Sequence, residues 1–260
     1  MKRVISLENS IKKITLMLLV LMTFNIVGVY ASNTKANADA SYRAADYQKA
    51  IELYKQELHS GESAAVFHNL GNCYYRVGNI SQAVLCYERA LKYSPTDKDI
   101  LHSLEIAQRK TIDRLPSNGD ILFVRWYKGL LSVMSIDAWT YMAIVSLVLS
   151  LILFLVYLFV EKILVRRLAF YVSLTAFILF VLGNIFAWQR KDILTTHDTA
   201  VVMSETLMVK SSPADNATDA CVIHEGTTLT ITDKDIKGWY AIRLSDGRQG
   251  WVKVKEVEEI

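Results

Sequence analysis

Two long apolar stretches, separated by a very short segment, constrain this chain more than any single motif does. Residues 138–160 and 168–188 each approach the roughly 20 residues that a helix needs to cross a bilayer. Neither stretch contains an acidic, basic or histidine residue, and only residues 161–167 lie between them. A connection this short favours a two-helix transmembrane hairpin. We therefore expect the parts of the chain before and after it to lie in the same compartment.

The N-terminus has the pattern of a secretory signal. An apolar run occupies residues 14–29. It follows four basic residues: Lys2, Arg3, Lys12 and Lys13. Val29 and Ala31 are small enough for cleavage before Ser32, so residues 1–31 are expected to be a signal peptide or an uncleaved N-terminal anchor. Both alternatives predict an inner-membrane (cytoplasmic-membrane) protein whose soluble domains lie in the periplasm.

Charge and cysteine content exclude several classes of protein. The chain has 29 basic and 26 acidic residues, with a net charge of +3, and this balance argues against nucleic acid as a partner. The three cysteines, Cys73, Cys86 and Cys221, form no CxxC motif and have no histidine at zinc-ligand spacing. We therefore predict no metal and no cofactor. We also predict no enzymatic activity, because the two soluble modules described below are of kinds that bind partners.

A helical repeat precedes the hairpin. Small and aromatic residues occur at the spacing of a helix pair, and they resemble the tetratricopeptide pattern: Phe67, Leu70, Gly71, Tyr74, Ala83, Tyr87, Ala90 and Pro95. The segment 79–87 repeats the pattern of 46–54, and residues 97–110 form one more amphipathic segment, which we expect to cap the stack. Residues 32–112 are therefore predicted to be an all-α tetratricopeptide repeat stack.

Stacked repeats of this kind present a concave face that is made mainly by the first helix of each pair. Helical spacing places five candidate partner-binding residues on that face: Arg43, His68, Asn72, Tyr75 and Arg76. Asparagine and arginine together can hold a peptide backbone or carboxylate. The alternative is that these are ordinary solvated positions. Cys73 and Cys86 should lie on facing helices, either as small buried apolar residues or as a disulfide-forming, redox-active pair.

Residues 113–137 are predicted to be a linker followed by a helix in the membrane interface. Turn-forming residues at 116–119 mark the domain boundary. Residues 121–136 then mix apolar side chains with Trp126 and Tyr127, which favours contact with membrane lipid. Either Ser135 or Asp137 is expected to cap the first span.

Short alternating runs with intervening turns predict a small C-terminal barrel over residues 199–257. Its segments 209–213, 238–243 and 246–252 resemble the bacterial SH3-like family, which implies an all-β SH3-like barrel that binds peptides or cell-wall material. Trp239 and Tyr240 are candidate partner-binding residues on an aromatic face; the alternative is that they only pack the barrel.

The whole order of signal, repeats, hairpin and barrel resembles the BatE family of the Bacteroides aerotolerance operon. The resemblance implies a multi-domain membrane protein that acts as a periplasmic scaffold in a complex related to stress or oxygen tolerance. It also implies protein partners: other membrane-anchored products of that operon with von Willebrand A-type or tetratricopeptide domains. Two alternatives stay open, a peptidoglycan-binding anchor that recruits a partner through its repeats, and a thiol protein that uses Cys73 and Cys86.

Overall fold

The computed structural model describes residues 33–113, 122–234, 236 and 238–260. The predicted signal and the turn at 116–119 lie outside these residues. The helices are α1 (Asn33–Arg43), α2 (Tyr47–Ser60), α3 (Ala64–Arg76), α4 (Ile80–Tyr93), α5 (Lys98–Gln108), α6 (Leu122–Ser132), α7 (Ile136–Phe159) and α8 (Ile163–Thr195). The strands are β1 (Thr199–Val202), β2 (Thr206–Lys210), β3 (Asp219–His224), β4 (Thr228–Asp233), β5 (Trp239–Arg243), β6 (Gln249–Lys253) and β7 (Val257–Glu259). The predicted layout of a helical stack, two long apolar helices and a β module is confirmed.

Helices α1 to α5 form the repeat stack, and local sequence explains where α3, α4 and α5 begin. Ser63, Asn79 and Asp97 each accept a hydrogen bond from a backbone N–H of the first turn that follows, which satisfies a donor without a helical partner. The predicted close contact at Gly71 is confirmed. A Cβ atom there would lie 2.6 Å from a ring carbon of Tyr87, so only glycine lets α3 and α4 approach this closely.

Helices α7 and α8 form an antiparallel hairpin. Near its closed end, the hydroxyls of Ser150 and Ser173 each donate to the other residue's carbonyl oxygen, at 3.0 and 2.9 Å. Near the other end, a Cβ on Gly183 would lie 3.1 Å from Ala143. Polar pairing and small residues therefore hold the two apolar helices together, and Ser135 is the residue that caps α7.

Helix α8 is longer than the predicted apolar span 168–188 at both ends. The helix begins at Ile163, so most of the expected loop 161–167 is helical, and it continues past Trp188 to Thr195. No glycine or proline interrupts residues 163–167 or 188–195, so nothing in the local sequence stops the helix there. The end of α8 therefore projects beyond the apolar stretch towards the soluble domains.

The C-terminal module is one antiparallel sheet with strand order β3-β2-β6-β5-β4-β1-β7. Alternate residues of its strands enclose a single apolar core, including Val202, Val209 and Val252. Sequence reasoning missed two strands. β3 contains Asp219 and His224 at its ends, and β7 is three residues with two glutamates, so neither shows the alternation that identifies the other strands.

The repeat and the β module dock on each other. Val201 and Ile260 pack into the core of the repeat. Around them, Arg89 donates to the Glu258 carboxylate at 3.2 Å and to the Glu259 carbonyl oxygen at 2.6 Å. Lys92 donates to the Ile260 main-chain oxygen at 2.8 Å. The second helix of the main repeat, α4, therefore lies against the β module.

Two further contacts extend this junction. Arg190 of α8 is only 5% exposed and donates to the carbonyl oxygens of Lys92 and Tyr93, at 2.8 and 2.7 Å. These carbonyls end α4 and have no partner within that helix. On the other side, Asp113 accepts from the His224 backbone N–H at 2.5 Å and from the Thr227 hydroxyl at 2.9 Å. The repeat is thereby fixed both to the hairpin and to the β module.

Candidate partner-binding groove

A small cavity of about 210 Å³ opens between α1, α2 and α3. Its walls carry one acidic and one basic side chain, two amides and two phenols: Asp39, Tyr42, Arg43, Tyr54, Asn69 and Asn72. We call this cavity, together with the adjoining Arg76, the groove. Among the described residues, none from the β module lines it.

Asp39 is the electrostatic centre of the groove. Its carboxylate accepts hydrogen bonds from the Tyr54 hydroxyl at 2.5 Å, the Asn69 amide at 3.3 Å and Lys35 at 3.2 Å. Burial alone would raise the pKa of Asp39, but the bonds from Tyr54 and Lys35 and the charges of Lys35 and Arg43 outweigh it, so the pKa lies below its ordinary value. The groove therefore holds a fixed negative charge beside its arginines.

Asn72 also lines the cavity, and a hydrogen bond from α4 fixes its amide. Its side-chain oxygen accepts a hydrogen bond from the buried Tyr87 hydroxyl at 2.8 Å. Within the described residues, no acceptor is bonded to its amide nitrogen, which can therefore donate to a ligand in the groove. The tyrosine fixes the orientation of the amide, so one residue joins the core of the repeat to its open face.

Arg43 and Arg76 supply the positive charge at the rim. Both side chains are exposed. The nearby Tyr42 hydroxyl raises the pKa of the Arg76 guanidinium, and Arg43 is close enough to lower the pKa of Asp39. The groove thus combines two arginines, one carboxylate and two amides, a set that can bind the backbone and the charged groups of a peptide.

His68 and Tyr75 lie apart from the groove, against the capping helix α5. The His68 ring is 3.0 Å from the Ser103 hydroxyl and packs beside Tyr87. Burial lowers the pKa of His68, even though Asp97 and Asp99 act in the opposite direction. The Tyr75 ring lies under the Lys110 ammonium, 4.2 Å from its centroid. Both side chains thus have contacts that stabilise the stack.

Trp239 and Tyr240 lie on β5 and do not join the groove. Each is partly buried, and each ring has a lysine over it at 5.5 Å, Lys253 and Lys234 respectively. The Tyr240 hydroxyl also donates to the Glu259 carboxylate. The structure therefore divides the seven predicted site residues among the groove, the α3–α5 contact and the β module.

Sequence reasoning missed four residues of the groove: Asp39, Tyr42, Tyr54 and Asn69. The internal repeat contained the signal for two of them. The alignment that pairs 46–54 with 79–87 also pairs Asp39 with Asn72 and Tyr42 with Tyr75. Asn69 had no such signal, because only the packing of α3 on α1 brings it to Asp39.

Cys73 and Cys86 are buried free thiols. Burial raises the pKa of Cys73 to about 11 and that of Cys86 to about 12, so both are protonated at neutral pH and are poor nucleophiles. Cys221 is partly exposed, and burial again raises its pKa. In the part of the chain that the structure describes, no group of three potential metal ligands forms.

Comparison with known families supports the helical repeat. The family model of the tetratricopeptide repeat matches residues 64–97, which cover α3, α4 and the turn that follows. Comparison with curated proteins gives no match. A tetratricopeptide repeat indicates a role in protein–protein interaction, and such repeats are typically non-catalytic scaffolds.

Proposed function

We propose that this protein is a membrane-anchored adaptor that binds a segment of a partner protein in the groove. One observation supports this most strongly: among the described residues, the β module covers the α4 side of the repeat and no element covers the α1–α3 side. That side also carries polar groups whose orientation is already fixed, such as the Asn72 amide, which accepts a hydrogen bond from Tyr87. Groups held in this way lose little side-chain entropy on binding.

The chemistry of the groove favours an extended peptide with an acidic group. Arg43 and Arg76 flank Asn72, so a carboxylate can bind the arginines while the amide donates to a backbone carbonyl. Asp39 disfavours a second acidic group deeper in the groove and favours a backbone N–H there. The expected ligand is therefore polar and directional rather than a purely apolar helix.

The anchor in this proposal is the α7–α8 hairpin. Both helices are long and apolar enough to span a membrane, and only 17% and 22% of their most apolar parts are buried within the protein. The remaining apolar surface faces outward, as lipid contact would require. Phe123 and Trp126 of α6 are also largely exposed, which supports placing that helix in the membrane interface.

The orientation and the setting are finer parts of the same proposal. The basic residues before the N-terminal apolar run favour a periplasmic location for both soluble domains. The resemblance to the BatE family extends the proposal to a complex related to aerotolerance, with von Willebrand A-type or tetratricopeptide proteins as partners. A reporter active only in the periplasm should work after Lys110 or Ile260 and fail near Lys162. Activity near Lys162 would contradict this topology.

The groove is tested by the paired change Arg43→Ala and Arg76→Ala. Both side chains are exposed, so the repeat should stay folded, while loss of two charge-assisted contacts should reduce co-purification of membrane partners by about tenfold or more. Arg248→Ala on the β module is the matched control, because it removes an equally exposed arginine far from the groove. Unchanged partner recovery would contradict the proposal, and retention on cell-wall sacculi would favour the peptidoglycan anchor.

A further inference from the structure

A second and larger cleft lies where the repeat meets the β module. Its volume is about 470 Å³, within the range of ligand-binding pockets. Ten residues from three helices, the turn before α4 and strand β7 line it: Lys55, Leu58, Phe67, Leu70, Tyr74, Asn79, Gln82, Cys86, Arg89 and Glu258. On α3, Phe67, Leu70 and Tyr74 face this cleft, whereas Asn69 and Asn72 face the groove. The two sites therefore lie on opposite sides of one helix.

The floor of the cleft is apolar and its rim is cationic. Phe67 and Leu70 are 4% and 3% exposed, so they form a fixed floor that belongs to the core of the repeat. Lys55 stands at one edge, with its ammonium 5.7 Å from the centre of the Tyr74 ring. The nearby Tyr74 hydroxyl raises the pKa of Lys55, so this side chain is charged at neutral pH. Arg89 provides a second cation.

The protein itself places a carboxylate among these donors. Glu258 of β7 accepts hydrogen bonds from Arg89 at 3.2 Å and from the Gln82 amide at 3.0 Å. The Glu258 side chain is nevertheless 42% exposed, so the contact lies at the solvent edge. An ion pair this exposed contributes little to stability, so the Glu258 carboxylate can be replaced by a carboxylate of a ligand.

We propose that this cleft is a second peptide-binding site, specific for a segment in which a carboxylate stands next to a large apolar side chain. The carboxylate takes the place of Glu258 between Lys55 and Arg89, and the apolar side chain covers Leu58 and Phe67. Charge complementarity identifies this occupant: the cleft has two cations against one carboxylate that is held only at its edge. The amide groups of Asn79 and Gln82 suit the backbone of the bound segment.

This site goes beyond the groove and does not depend on it. The residues that would hold the ligand, among them Lys55 and Arg89, belong to the repeat, whereas Glu258 belongs to the β module. Binding would therefore exchange one contact between the two domains for a contact with the partner. An adaptor with both sites can hold two different segments at once, one on each side of α3.

The experiment uses full-length protein in detergent and a display library of short random peptides. Peptides that bind the wild type are counter-selected on the Lys55→Glu variant, and those that bind this variant are discarded. The affinity of the surviving peptides is then measured by fluorescence anisotropy. We expect survivors with an acidic residue next to a leucine or an aromatic residue. Lys55→Glu should weaken them roughly tenfold, Glu258→Gln should tighten them several-fold, and Lys49→Glu, on the same helix but outside the cleft, should change nothing.

Three results would overturn the proposal. The first is that no peptide survives counter-selection on Lys55→Glu. The second is that the survivors are basic. The third is that Lys49→Glu weakens the acidic peptides as much as Lys55→Glu does, which would show a general charge effect on the surface. Lys49 and Lys55 are both exposed, so a folding defect should not cause any of these results.

Discussion

The two sides of the repeat stack are made by the same five helices but have opposite surroundings. On the α4 side, other parts of the same chain provide the contacts: Arg89, Lys92 and core residues of the repeat meet β7 and the end of α8. On the α1–α3 side, the bonds of Asp39 and Asn72 to described residues all lie within the repeat. The difference shows how one chain uses a recognition fold twice, once to assemble its own domains and once to present an open surface.

The largest effect is expected from disrupting the contact between α3 and α4, on which both sides of the stack depend. Gly71→Leu places a side chain where even a Cβ would lie 2.6 Å from Tyr87. Overpacking a tight core position costs about 3 kcal/mol at the upper end of the usual range, so the repeat should lose most of its stability. Thermal unfolding of the detergent-solubilised protein measures the loss.

Gly61→Leu is the matched control for that change. Gly61 follows α2, has extended backbone geometry and has no atom within 4 Å of its ideal Cβ position. The Gly61→Leu variant should therefore unfold close to the wild-type temperature. Equal losses for the two variants would show that α3 and α4 are not in the described contact. Asn72→Leu is not a suitable control, because it removes the acceptor of the buried Tyr87 hydroxyl.

The next largest effect is expected where the hairpin meets the repeat. Arg190→Ala removes two hydrogen bonds to the last carbonyls of α4. Bonds from a charged group are worth about 1.5–3 kcal/mol, and their loss should increase amide hydrogen exchange through the last turn of α4. The neighbouring Lys191 is exposed, so Lys191→Ala should leave that exchange unchanged. The account fails here if both variants exchange alike.

The smallest effect is expected at Asp113, on the other side of the junction. Burial would raise the pKa of Asp113, but hydrogen bonds from His224 and Thr227 outweigh it and lower the pKa. The stabilisation is therefore complete above the unfolded-state pKa of about 4 and is lost as the pH falls through the lower folded-state pKa. Asp113→Asn should cost about 1 kcal/mol at neutral pH.

Unfolding free energies of wild type and Asp113→Asn, compared as the pH falls, measure this effect. The gap between the two proteins should shrink towards zero once Asp113 is protonated in the wild type. A gap that stays constant in acid would mean that the carboxylate charge does not hold the repeat to the β module.

Sequence reasoning was most successful where a side chain has one dominant local role. The pattern around Gly71 predicted a close helix contact because no other residue fits there, and the apolar stretches predicted the hairpin. It was less successful with contacts between distant segments. Nothing local links Arg190 to the end of α4, or Glu258 to Arg89, because these pairs form only when three separate elements meet.

The same limit applies to the groove. Arg43 and Asn72 were predicted to face a partner and do line the cavity. His68 was assigned to the same surface by helical spacing alone, yet it packs against α5 through Ser103. Helical spacing gives the direction of a side chain from its own helix, whereas the neighbouring helix decides whether that direction leads to solvent.

Site-specific photo-crosslinking in native membranes tests the central claim most directly. One crosslinking side chain replaces Arg76, at the rim of the groove, and another replaces Lys92, which contacts the main chain of Ile260 and lies outside the cleft. The account predicts that the Arg76 position yields adducts with a second protein, while the Lys92 position yields an internal crosslink to the C-terminal module. A partner captured only from the Lys92 position, with none from the groove, would contradict it.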